Sequence, residues 1–118
     1  KLKVPFFISF GRDSDGEFNP MLLCGLSDVW VSPDGEEIET FAIITTEASS
    51  GMKAIHDRMP LILDKENIRL WLGKDYSHEM HKDLISSFDA VKLDIYRVSD
   101  FVNSYTHNTS QCIEPVLR

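Results

Sequence analysis

The dipeptide Asp34-Gly35 stands between two β-forming runs, Met21–Leu26 before it and Ile38–Glu47 after it. An Asp-Gly pair tolerates the backbone of a tight reversal, so the flanking runs are expected to fold back on each other as antiparallel strands. That one turn already favours a meander over a parallel, helix-connected sheet. Val4–Phe10, rich in aromatic and β-branched residues, reads as a further strand. The polar stretch 11–20 between them carries Gly, Asp and Asn, the residues of a turn. Its "GRDSDGE" has the oxygen density of a calcium loop but no later Glu in register, and is read as a hairpin turn.

Beyond Glu47 the pattern changes. "ASSGMKAI" (48–55) fits a single helical turn disturbed by Gly51. Pro60 pushes the residue before it towards extended geometry, so His56–Met59 cannot continue as helix and Met59–Leu63 reads as a short strand. Asp64 is placed as the N-cap of a helix over 65–72, with Gly73 as its stop. Ser77 caps a second helix whose Met80, Leu84, Ile85 and Phe88 share a face. Residues 90–98 alternate apolar and polar, a strand with one wet side. Residues 99–110 form a turn or short helix, and "CIEPV" (112–116) a final extended piece. The expected class is α+β, mostly antiparallel β with a few short helices.

The chain of 118 residues holds at most one domain, and a 42% hydrophobic content is enough to bury a core. No apolar run approaches the ~20 residues of a membrane span, and no secretory leader is visible. Cys24 and Cys112 are therefore expected as reduced thiols, Cys24 as a small core residue. The net charge of −7 argues against a polyanion partner until its distribution is considered. Residues 13–52 hold nine acids and no Lys or Arg, whereas the rest holds 10 acids and 12 bases. The half containing His56 is mildly basic and compatible with a nucleic acid.

Within that half, "IHDRMP" (55–60) wedges three polar residues between apolar segments. A His titrates near neutral pH and serves as acid or base. An Arg offers a planar fork matched to phosphate. In an extended segment His56 and Arg58 alternate onto one face, and Thr45 and Thr46 end the preceding strand, where their hydroxyls are available to the same site. The bland alternative is a hydrogen-bonded loop His with an Arg paired to a carboxylate. His78 and His81, at i, i+3, share a helix face as metal ligands would, but no third ligand is evident and a solvated face is the better reading. No metal or cofactor is expected. Asn108-Thr109-Ser110 matches a glycosylation sequon and is read as a polar turn.

In chain order, "PFFISF", "LLCGLSDVW", "TFAIITTEAS", "MKAIHDRMPLIL", "YRVSDFVNS" and "CIEPV" resemble the C-terminal part of the SRAP family, the SOS response-associated peptidases that include a sensor of abasic sites. The resemblance spans nearly the whole chain, and I-H-x-R-M-P after a T-I-I-T-type strand is its most specific element. It implies a compact α+β domain around a β-barrel-like core, with residues 1–118 as its C-terminal portion. It implies binding of single-stranded DNA and trapping of abasic sites by an N-terminal cysteine as a thiazolidine, the cysteine being exposed by self-cleavage of the initiator methionine. Carried over by position, the family's proton-handling His is His56, its phosphate-contacting Thr and Arg are Thr45 and Arg58, and Asn103 in "VSDFVN" matches a position near the site.

The departures are as specific as the match. Residue 1 is Lys, neither Cys24 nor Cys112 matches the nucleophile, and the family's active-site Asn and Glu are missing. The expected partners are abasic single-stranded DNA and an N-terminal half of the same protein, with no membrane and no small-molecule cofactor. The expected location is the nucleus of a eukaryote or the cytoplasm of a bacterium. The alternative is an SRAP-like interaction domain without chemistry, with the acidic stretch 13–52 as a protein-binding face. In both readings Trp30 and Trp71 are expected in the core.

Overall fold

The computed structural model describes residues 3–65, 67–73, 77, 79, 82–84 and 93–117. It divides into two compact units, Lys1–Pro20 with Lys92–Arg118, and Met21–Val91. The structure is α+β, as the sequence implies. Its strands are β1 (Phe6–Ser9), β2 (Leu22–Leu23), β3 (Gly25–Val31), β4 (Glu37–Ile43), β5 (Thr45–Glu47), β6 (Arg58–Pro60), β7 (Ile62–Leu63) and β8 (Asp94–Arg97). A single-turn helix, α1 (Ile68–Trp71), and 3-10 turns at Asp100–Asn103 and Ser110–Ile113 complete the described elements.

The first unit is organised by the antiparallel pair β1–β8, with Phe6 opposite Arg97 and Ser9 opposite Asp94. Phe7 packs edge-on against Phe18 and against Tyr96, whose hydroxyl donates to Ile113 O at 2.8 Å. The stretch 11–20 closes as the hairpin turn expected. Asp13 Oδ1 accepts from the N–H groups of Asp15 and Glu17, and Gly16 takes φ +82°. The carboxylate thus serves the turn's own backbone.

The second unit is built on a three-way junction. Three chain segments each change pairing partner at one residue. Residues 22–31 pair first with β7 and then with β4; 37–47 first with β3 and then with β6; 58–63 first with β5 and then with β2. The residues at the changes are Cys24, Ile44 and Leu61, and they close a ring of three backbone bonds. Cys24 N–H donates to Leu61 O (2.8 Å), Leu61 N–H to Ile44 O (2.9 Å) and Ile44 N–H to Cys24 O (2.9 Å). The side chains of Cys24 and Leu61 form the core with Leu63 and Leu84, against which Ile44 and Trp71 pack. Every donor in the ring is satisfied, so the junction can be buried without orphaned amides. Cys24 and Leu61 are the most deeply buried side chains, at 0% and 1% exposure.

The junction explains three corrections. The barrel-like core is not formed. Among the described residues the strands make four separate two-stranded ladders, because each segment switches partner after a few residues. The expected strands at 38–47 and 59–63 are each divided, at Ile44 and Leu61. Trp30 is not in the core. It lies 53% exposed on the β3–β4 ribbon, which extends away from the junction with neither face buried. Trp71 is half-buried at the core's edge.

The Asp34-Gly35 turn closes that ribbon as expected. Gly35 takes φ +84°, its N–H reaches Ser32 O, and Ser32 Oγ accepts from Glu36. Asp64 Oδ1 accepts from Asn67 N–H at 2.9 Å, but only in the turn that leads into the helix. The helix is shorter than the expected 65–72: α1 starts at Ile68, with Asn67 rather than Asp64 at its N-cap position. Of the helix expected after Ser77, Leu84 is described and buried; His78 and His81 lie outside the described residues. Among the described residues no group of His, Cys, Asp or Glu has the makings of a metal site, and no helix is long and apolar enough to cross a membrane. Both cysteines are free.

Candidate functional site

The ladder β5–β6 has one inward and one outward face, set by its register. Thr46 opposes Met59, which is buried at 3% exposure, so this pair faces inward. The alternate residues Thr45, Glu47 and Arg58 face outward and are exposed. The inward pair fixes the strand, and the outward face is left for chemistry.

On that face Arg58 is already oriented. One of its guanidinium nitrogens, Nη2, donates to Thr45 O at 2.8 Å and to Thr45 Oγ1 at 2.9 Å. The Thr45 hydroxyl therefore accepts from Arg58 and keeps its own proton to donate. Among the described residues no hydrogen bond is made by the other N–H groups of the fork, which can serve an anion. The sequence assigns Thr45 and Arg58 to one site, and the structure places them in direct contact.

His56 reaches the same residue by a different route. The segment before it winds through a turn, with Met52 and Lys53 N–H bonded to Ser49 O, and Ile55 and His56 N–H bonded to Met52 O. This is the helical turn expected over 48–55. It delivers an exposed His56 whose Nδ1 lies 3.0 Å from both the backbone N and the backbone O of Arg58. Among the described residues no hydrogen bond is made to Nε2, which is left as the outward nitrogen. His56, Arg58 and Thr45 thus form one connected group, tied through Arg58.

Asp57 departs from the simple picture. Strict alternation would turn it away from Arg58 into the structure. Its backbone carbonyl does so, accepting from Ala48 N–H at 2.9 Å. Its side chain instead shares an open surface hollow with Glu47, Lys53 and Arg58. Sequence reasoning passed over Lys53 and Glu47 here. The turn spacing that carries Lys53 to this hollow, and the register that sets Glu47 opposite Arg58, arise only from folding. Asn103 lies in the other unit, exposed at the end of the Asp100–Asn103 turn, which Ser99 Oγ caps by accepting from Phe101 N–H.

Cys24 carries none of the features of a reactive thiol. Burial pushes its pKa up to about 11, so it stays protonated and inert at neutral pH. It is a core residue, as expected.

The family described as SOS response associated peptidase (SRAP) matches residues 1–105. The abasic site processing protein YoqW of Bacillus subtilis is 36% identical over 115 residues, covering 97% of this chain and 49% of that protein. The abasic site processing protein HMCES of Gallus gallus is 34% identical over 130 residues, covering 97% of this chain and 38% of its own length. A crystal structure of a Bacteroides thetaiotaomicron protein superposes with a TM-score of 0.78 at 31% identity, covering 97% of this chain and 49% of that one. The chain thus spans about half the length of YoqW or less of such relatives. On the match over residues 1–105 and the order of motifs that surrounds His56 and Arg58, the chain belongs to the SRAP family.

Proposed function

We propose that this chain supplies the acid–base and phosphate-holding part of a site that processes abasic positions in single-stranded DNA. The observation that carries the reading is the connected group of His56, Arg58 and Thr45 on one exposed strand face. The similarity to proteins named for abasic site processing supports the substrate class. The remaining half of a longer protein is proposed to contribute the nucleophile, an N-terminal cysteine freed by self-cleavage of the initiator methionine.

The chemistry needs a proton carrier at each step. The abasic sugar opens to an aldehyde, the ring oxygen taking a proton. The cysteine's amine adds to the aldehyde carbon, and the resulting carbinolamine loses water to give an iminium. The thiolate then adds to the same carbon and closes a thiazolidine. His56 Nε2, the outward nitrogen of the ring, is the group that gives and takes these protons. Arg58, held by Thr45, grips the flanking phosphate, with the Thr45 hydroxyl donating to the same group, and so converts encounter into positioning. A supporting role for Asn103 is proposed from the family resemblance alone. Such a protein works in the nucleus of a eukaryote or the cytoplasm of a bacterium, without a metal or cofactor.

The test is crosslinking to a single-stranded oligonucleotide with one abasic site. Residues 1–118 alone are expected to form no covalent adduct. A longer form beginning Met-Cys is expected to form one, and His56→Ala is expected to slow it by about 10²-fold or more, the range of a general acid–base group. An unchanged rate for His56→Ala would remove His56 from the chemistry. The second reading, an interaction domain without chemistry, draws on the exposed apolar ribbon β3–β4 within the acidic stretch. Any residue other than Cys after the initiator methionine would favour it.

A further inference from the structure

We infer that the Arg58 peptide is a two-way anchor for the His56 ring, holding it in one orientation whatever its protonation state. His56 Nδ1 lies 3.0 Å from Arg58 N and 3.0 Å from Arg58 O, with acceptable geometry to each. A ring nitrogen is either an acceptor or a donor, never both at once. When Nδ1 is bare it accepts from the Arg58 N–H, closing the side-chain turn that an Asx residue makes with the residue two ahead. When Nδ1 carries a proton it donates to the Arg58 carbonyl. The two bonds exclude each other, and each neutral tautomer has one of them. The imidazolium uses the second.

The consequence falls on Nε2, and it rests on the reading of His56 as the acid–base group. A histidine with one fixed partner at Nδ1 is committed to one tautomer, and its other nitrogen is set as donor or as acceptor. A ring served by both the N–H and the C=O of one residue is not so committed. Nε2 keeps its position as the ring passes from base to conjugate acid to neutral donor. A reaction in several proton-transfer steps can then use one nitrogen throughout, without a rotation of the side chain. The same residue orients its own guanidinium through Thr45, so the proton carrier and the phosphate clamp share a single backbone mount. The hollow beside Arg58 is lined by charged groups from three elements: Glu47 from β5, Lys53 from the turn, Asp57 and Arg58 from the segment itself. Two acids and two bases balance there.

The experiment is a pH titration of the 118-residue chain by NMR, reading the His56 ring nitrogens and the Arg58 amide proton together. The Arg58 amide is expected to move upfield on acidification with the midpoint of the His56 ring, because its bond to Nδ1 is lost as that nitrogen is protonated. The neutral ring is expected to populate both tautomers. In His56→Asn, whose side-chain oxygen stands in for Nδ1 as acceptor and whose amide does not titrate, the Arg58 amide is expected to stay downfield and lose its pH dependence. An Arg58 amide that ignores the His56 titration, or a neutral ring fixed in one tautomer, overturns the anchor. Crosslinking by the longer protein reports separately. Full activity in His56→Ala would sink the catalytic role and leave the titration to decide the anchor.

Discussion

The ladders β5–β6 and β3–β4 leave the same junction and share the segment 37–47, yet they are different kinds of structure. β5–β6 has three residues per strand and buries one face, with Met59 at 3% exposure. β3–β4 has seven residues per strand and buries neither, with Phe41 at 78%. Length and hydrogen-bond number favour the ribbon, and burial favours the short ladder. A two-stranded ribbon without a covered face is marginal in water. The short ladder is held by its inward face, which is why the residues on its outward face can be positioned for function. The comparison teaches that burial on one side, not ladder length, is what makes a strand face a platform.

The largest effect that can break this comparison lies in neighbouring residues of β6. Met59→Ala is expected to destabilise the fold by about 3 kcal/mol, in the range for emptying a buried Met or Leu site. Leu61→Ala, at the junction itself, should cost a similar amount. Arg58→Ala, one residue away on the exposed face, is expected to stay within about 0.5 kcal/mol of wild type. Chemical denaturation of the three variants measures all of this. Equal losses at positions 58 and 59 would mean that the two faces are not distinct.

How much of this was legible follows from the range of the signals. The turns at Asp13–Glu17 and Ser32–Glu36 are local: an Asp or Ser side chain caps its own backbone, and Gly supplies the positive φ. Both could be read from five residues. The junction could not. Cys24, Ile44 and Leu61 lie inside apolar runs that look continuous, and their role is fixed by partners 17 to 37 positions away in sequence. Trp30 was misplaced for the same reason, since an apolar residue in a strand says nothing about whether anything covers it. His56, Arg58 and Thr45 were legible as residue types beside a strand end and a proline. The link through the Arg58 peptide was not, because it depends on the turn over 49–56 bringing an imidazole back onto the chain that follows it.

A smaller effect separates the junction from the rest by pH. Burial raises the Cys24 thiol to about 11, above the 9.0 of an exposed thiol. Between those values the unfolded chain loses the proton while the folded chain keeps it, so the folded state binds more protons and stability falls as pH rises. The contribution is fully present below pH 9.0 and lost towards pH 11. At about 1.4 kcal/mol per pKa unit the whole is about 2.8 kcal/mol, of which roughly 2 kcal/mol is lost by pH 10.5. Cys24→Ala should be less stable at neutral pH and lack this decline. Thermal melts between pH 7 and 10.5 are the measurement, and identical slopes for both proteins would place the thiol in contact with solvent. A thiol reagent at pH 8 should correspondingly modify Cys112 well before Cys24, since only Cys24 is fully buried.

The smallest expected effect belongs to the ribbon and is the sharpest test of the contrast. Phe41 opposes Ser27 on one face; Trp30 opposes Ile38 on the other. In the 118-residue chain Phe41→Ser should change stability by no more than about 0.5 kcal/mol, because the side chain is 78% exposed and the ladder's backbone pairing is untouched. The same substitution in a longer protein should cost several times more if the added residues cover the ribbon, since burying a Phe contributes about 1.5–3 kcal/mol. Urea denaturation of the pair in both contexts separates the two cases. A large loss already in the 118-residue chain would show that Phe41 is covered there, by a second copy or by rearrangement of the ribbon, and the distinction between the two ladders would fall.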